Sequence, residues 1–263
     1  TYHPWLGSHG GAPWGPSLLV PVRIVWRDPS DLGSADSAGA CRCDDGMEYA
    51  LKDGADHPLR PHVEWLCTRL AGAVGIVCPP CAIVEDENGN YLFGSRWEGG
   101  VARDNWWDMV DRGDIEIATF APLLSRILAF DLFVHNVDRH LNNYLIRKAR
   151  NIWTVMAFDF SRAWTCNGEL LPPLPIPPHE NTIVAYRELV GLFGPFLVQE
   201  AADEILDRLA EINTQRIADI NAEQPRQWLP DRTADEVLQW WASASRTDRI
   251  GAIKEGMRDG SYL

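Results

Sequence analysis

The spacing of apolar positions changes along the chain, from patterns that suit strands to patterns that suit helices. Residues 17–26 are apolar and β-branched enough for a strand, and 47–52 follow the Asp44-Asp45-Gly46 turn as another. Residues 82–84 and 91–95 predict a hairpin around Asp86-Glu87-Asn88-Gly89-Asn90. Between these strands Val63, Leu66, Leu70, Ala71 and Val74 recur at helical spacing, with Pro61 to open the helix and Gly75 to close it. Leu123, Leu124, Ile127, Leu128, Asp131, Leu132 and His135 predict a mostly buried helix over 122–135. Residues 144–146 and 153–158 read as two short strands joined by the basic turn 147–151. From 193 onward Leu197, Ala201, Ile205, Leu209, Ile212 and Ile217 return to helical spacing, and 231–242 and 247–257 are further helices. A strand-rich first part followed by helices makes this an α+β chain. Residues 1–16, rich in Gly, Pro and His, read as a loose arm, 101–118 as a helical or loop cover, and the Pro-rich 171–178 as an extended loop.

One group of polar residues breaks the apolar pattern. Asp138, His140 and Asn143 fall in the loop between the 122–135 helix and the hairpin, and Asp159 follows the hairpin's second strand. The hairpin's open ends would bring Asn143 and Asp159 together, as shared metal ligation requires. Phosphoryl transfer uses such parts. One carboxylate meets the attacking hydroxyl, while an Asn and a second carboxylate hold the magnesium ions that neutralise the phosphates. Asp138 and Asn143 have the D-x-x-x-x-N spacing of a kinase catalytic loop, and Asp159-Phe160-Ser161 stands where D-F-G would. Upstream, Tyr49-Ala50-Leu51-Lys52 has the shape of the V-A-I-K strand, whose Lys pairs nucleotide phosphates. Glu64, in the first turn of the next helix, is placed to pair with Lys52. The 28–39 loop stands where a phosphate-covering loop belongs. It lacks G-x-G-x-x-G, so Gly33, Ser34, Ser37 and Gly39 are its weak candidates. Asp138 is the expected base and His140 the residue that holds the loop by hydrogen bonds. Arg139 is expected to pair with a carboxylate or a phosphorylated residue.

Composition narrows the classes. The net charge of −13 repels phosphate backbones, which argues against nucleic acid as a main partner. The chain has no signal-peptide pattern and, on this reading, no apolar run of about 18 residues, so neither a membrane span nor export is expected. A cytoplasmic setting would keep the six cysteines reduced. Cys41-x-Cys43 and Cys78-Pro-Pro-Cys81 could together form a zinc site, or a pair could be redox-active, against the plainer reading of packed thiols.

The run Asn-Val-Asp-Arg-His-Leu-Asn-Asn from Asn136, then an apolar strand and Asp159-Phe160-Ser161, resembles the HipA-like kinases. It more distantly resembles the D-R-H-x-x-N loop of phosphatidylinositol kinases. HVEWLCTRLAGAVGIVCPP, beginning at His62, is similar to the acidic residue, helix and "lGl-x-x-P" of the same family. The matches run in order over 47–164. The resemblance implies a two-lobed kinase, with a small β-rich lobe over 17–100 and a mostly helical lobe over 101–263. It implies ATP and Mg2+ as cofactors, transfer to Ser or Thr of a protein, a regulatory or antitoxin-like partner, and phosphorylation of the chain's own Ser34 or Ser37. Residues 94–100 would link the lobes beside the adenine. Ser161 in place of Gly and the irregular glycine loop keep two other readings open: a nucleotide-binding regulatory module, and a kinase of a lipid or small-molecule hydroxyl.

Overall fold

Residues 19–28, 38–97, 106–149, 152–164 and 170–263 are described by the structure, a computed structural model. Its first strands are β1 (Val22–Asp28), β2 (Ala40–Cys43), β3 (Glu48–Lys52), β4 (Cys81–Glu85) and β5 (Tyr91–Arg96). They close into a barrel in the order β1-β2-β3-β5-β4, antiparallel throughout except where β1 meets β4. Alternation along the strands sends Cys41, Cys43, Tyr49, Leu51, Val84 and Leu92 to one buried cluster. Close packing there requires a glycine at 94, since a Cβ would lie 2.6 Å from Val84 Cγ2 and 3.1 Å from Tyr49 Cδ1. The zinc reading fails on this geometry. Cys41 and Cys43 face each other inside the barrel cluster, with Sγ atoms 3.6 Å apart. Cys78 and Cys81 pack instead on a second, larger core. Among the described residues no three His, Cys, Asp or Glu converge as a metal site.

Helix α1 (Arg60–Ala73) joins the barrel to that larger core. The predicted apolar stripe is right: Val63, Leu66, Leu70, Ala71 and Val74 are all fully buried. Ile83 and Phe93 of the barrel strands belong to the same core. α1 is also tied to the distant C-terminal part, because Trp65 Nε1 donates to the Ile220 carbonyl at 3.2 Å and Arg69 pairs with Glu223 at 2.8 Å.

The rest of the chain comprises α2 (Trp106–Asp111), α3 (Ile117–Val134), the hairpin strands β6 (Tyr144–Ala149) and β7 (Ile152–Ala157), and α4 (Asn181–Phe193). Then follow α5 (Gln199–Glu211), α6 (Thr214–Ala222), α7 (Asp231–Ala242) and α8 (Ala244–Arg258). α3 is central, with α4, α5, α8 and β7 packed around it. It starts earlier than the expected 122, running through Pro122 and giving up a backbone hydrogen bond there. The expectation that no apolar run reaches membrane-spanning length needs correcting. By length and composition alone, α3 could span a membrane. It is apolar nearly all round because it is the mostly buried centre of the core. The helical spacing over 197–217 divides into α5 and α6, where Asn213 Oδ1 accepts the Arg216 N–H at 2.9 Å and caps the second helix. α7 has the expected bounds, and α4 was not anticipated.

Candidate active site

The site begins where α3 ends. His135 takes a left-handed conformation, φ 52°, and turns the chain out of the helix. Asp131, one turn earlier, points into the core instead of to water. Its carboxylate takes two hydrogen bonds from Arg139, Nε to Oδ2 at 2.8 Å and Nη2 to Oδ1 at 3.0 Å. Both side chains are buried, and the Arg139 guanidinium also lies 4.8 Å from the centre of the Phe160 ring. Its Nη1 donates to the Asn143 carbonyl at 2.9 Å and to the Phe158 carbonyl. One guanidinium thus fixes both ends of the stretch between Asp138 and Asp159. Arg139 pairs with a carboxylate, as one of its two expected roles required.

The loop itself is short and internally bonded. The Asp138 carbonyl accepts the His140 N–H and Asn143 Nδ2, each at 2.9 Å. The Asn143 amide nitrogen is therefore committed to the loop, and its Oδ1 accepts no hydrogen bond among the described residues. The Asp138 carboxylate is partly exposed. Asn181 Nδ2 donates to its Oδ1, and Arg162 Nε lies 3.7 Å from its Oδ2. The His140 side chain makes no hydrogen bond among the described residues. The loop is held by Arg139 and by His140's backbone, and no bond from the His140 imidazole to the loop is found among the described residues.

The hairpin then returns the chain to the loop. Tyr144 pairs with Ala157 in register, which sets Asn143 and Asp159 beside one another at the open end. Asp159 has φ 61°, a left-handed backbone uncommon for a residue with a side chain. Its carboxylate is held on both oxygens. Lys52 Nζ donates to Oδ2 at 2.9 Å, and Ser161 Oγ to Oδ1 at 2.7 Å. Serine at the glycine position of the motif therefore acts as a donor to the Asp two residues before it. Lys52 reaches this point because β3 ends against β5 with the Lys side chain turned inward and buried.

Glu64 completes the group from α1. Its Oε2 accepts the Phe160 N–H at 3.0 Å, while its buried Oε1 has no hydrogen-bond partner among the described residues. The hydrogen bond runs to the backbone beside Asp159, so the expected pairing with Lys52 is felt as charge: Lys52 partly offsets a carboxyl pushed up to about 8 by burial and by the Asp159 charge. Asp159 moves the other way. Burial opposes its ionisation, but Lys52 and the Ser161 donors outweigh that and hold it down at about 2.

Lys52, Glu64, Asn143 and Asp159, remote in sequence, thus converge, with Asp138 at the near end of the same loop. Ser34 and Ser37 lie outside the described residues, as do Gly33 and most of the proposed phosphate-covering loop. Gly39, at its end, has φ +95° and leads into β2. The reading from sequence missed Asp131, Asn181, Thr182 and the donor role of Ser161. Asp131 alone carried a visible signal, a carboxylate on an otherwise apolar helical stripe.

The donors fit magnesium better than a metal caged by protein alone. Asn143 Oδ1 and the Asp159 carboxylate are hard oxygen ligands, and two of them suit an ion that takes its other ligands from phosphates and water. Added positive charge beside the ionised Asp159 would draw the raised Glu64 carboxyl back toward ionisation.

A sequence profile described as HipA-like kinase matches residues 30–170. No curated protein matches the chain. Among solved structures, the Helicobacter pylori proinflammatory kinase CtkA superposes with a TM-score of 0.56 at 13% identity, covering 87% of this chain and 94% of that one. A chain of the Shewanella oneidensis MR-1 toxin–antitoxin complex of HipA, HipB and operator DNA gives a TM-score of 0.44 at 16% identity, over 80% of this chain and 57% of that one.

Proposed function

Because the chain belongs to the HipA-like kinase family, we propose that it transfers the γ-phosphate of Mg-ATP to a hydroxyl group, that of a serine or threonine on a protein. The observation that carries this reading is the convergence of Lys52, Asp159 and Asn143 next to Asp138. We read the barrel with α1 as the small lobe, 17–100, and the helical remainder as the large lobe, 101–263, with the nucleotide between them.

In this account Lys52 contacts the nucleotide phosphates and is kept in place by Asp159. Asn143 and Asp159 are the residues that would hold magnesium, which when bound would neutralise charge on the transferring phosphate. Asp138 accepts the proton of the attacking hydroxyl. Arg139 and Asp131 do no chemistry; they fix the spacing between base and metal ligands, and positioning of that kind accounts for much of phosphoryl-transfer catalysis. A regulatory partner of the antitoxin type and a cytoplasmic setting belong to the same proposal. It is tested by incubating the protein with γ-labelled ATP and magnesium, alone and with casein. Label should enter protein with the wild type and not with Asp138→Asn. Mg-ATP binding with no transfer would favour the regulatory-module reading instead.

A further inference from the structure

Asp138 is a carboxylate at the rim of the site, and a carboxylate on a loop rotates unless something stops it. What stops it comes from α4, 43 residues further along the chain. The second residue of that helix, Thr182, is buried and grips the loop backbone. Its Oγ1 accepts the Arg139 N–H at 2.9 Å and donates to the Asn136 carbonyl at 2.6 Å, while its own N–H donates to the Val137 carbonyl at 3.2 Å. The first residue, Asn181, extends that grip to the side chain, donating Nδ2–H to Asp138 Oδ1. Oδ2 is left facing the exposed Arg162.

We propose that Asn181 is a positioning residue for phosphoryl transfer: by engaging Oδ1 it presents Asp138 Oδ2 to the acceptor hydroxyl. The proposal rests on the kinase reading of Asp138. Asn181 is itself exposed and is not the cap of α4, which is Glu180. It has little structural work to do, and the loop's own fold is secured by Thr182 and Arg139.

The test compares wild type, Asn181→Ala and Asn181→Asp in three measurements: the rate of γ-phosphate transfer from Mg-ATP to the chain itself and to casein, the affinity for Mg-ATP, and the melting temperature. Loss of a hydrogen bond to a charged group predicts a fall in rate of about tenfold to a hundredfold for Asn181→Ala, with Mg-ATP affinity unchanged. Asn181→Asp should be slower still, because it places a second negative charge against Asp138. Its melting temperature should nonetheless stay near the wild type's, since the favourable placement of a carboxylate in the first turn of a helix offsets that repulsion. A merely structural role would lower the rate and the melting temperature together. Wild-type rates in Asn181→Ala, or an Asp variant faster than the Ala variant, would overturn the proposal. Asp138→Asn is run in parallel. If it is inactive while Asn181→Ala is normal, only the role of Asn181 falls; if it is fully active, the kinase reading of Asp138 falls with it.

Discussion

Two buried groups of ionisable side chains both touch Phe160, and they differ in how completely they are satisfied. Asp131 and Arg139 meet in two parallel hydrogen bonds, and the guanidinium's Nη1 donates to the Asn143 and Phe158 carbonyls. Lys52 and Asp159 pair as ions, while the Glu64 carboxyl beside them is raised to about 8 and its Oε1 finds no hydrogen-bond partner among the described residues. The first group is complete within the protein, which is what a structural pin requires. The second keeps a carboxyl whose ionisation depends on the charge around it, which an arriving cation and phosphates would change. Burial alone would not have separated them; the count of partners does.

If the first group is a pin, breaking it should have the largest effect on stability. Arg139→Met leaves Asp131 charged and buried, and should cost roughly 3–5 kcal/mol in a denaturant melt. A loss below about 1 kcal/mol would show that the pair does not hold the loop.

The second group should show itself in pH dependence rather than in raw stability. Glu64 is raised in the folded protein to about 8, so its neutral form stabilises the fold fully below its unfolded pKa of about 4.3. That contribution is lost as pH rises toward 8, at up to about 1.4 kcal/mol per pH unit. Asp159, held down at about 2, acts oppositely: its contribution is present above its unfolded pKa of about 3.9 and lost as pH falls through the acid range. Unfolding free energies of the ligand-free protein, measured across pH, should therefore fall between about 5 and 8. Glu64→Gln should flatten that limb and leave the acid limb alone. An unchanged slope in Glu64→Gln would contradict the assignment.

The smallest effect is expected at His140, which belongs to neither group. His140→Ala should change stability by no more than about 0.5 kcal/mol in the same melts. A larger loss would restore the loop-holding role expected of its side chain.

What could be read in the sequence follows from the range of each interaction. The stripe of α1, the hairpin of β4 and β5, the bounds of α7 and the Asp138–Asn143 loop are local patterns, each contained within one or two elements. Lys52 and Asp159 were legible because their motifs have fixed spacing, although they lie 107 positions apart. The grip of Thr182 and Asn181 had no such signal. Both follow a Pro-rich run with no periodicity of its own, and no local pattern singles either of them out. Glu64 was assigned to Lys52 by motif, whereas its hydrogen bond goes to a backbone N–H that only the fold brings near. Cys41 and Cys43 stayed open to a metal-ligand reading for the converse reason: spacing was visible, but the barrel that buries them was not.

The central claim is that Asp159 belongs to the metal–nucleotide site while Asp138 belongs to the acceptor, and calorimetric titration of Mg-ATP tests it most directly. The wild type should bind only when magnesium is present, and Asp138→Asn should bind about as tightly, because its group acts as the proton moves. Asp159→Asn should lose most of that affinity. Retention of Mg-ATP binding by Asp159→Asn together with its loss in Asp138→Asn would reverse the two roles and contradict the account.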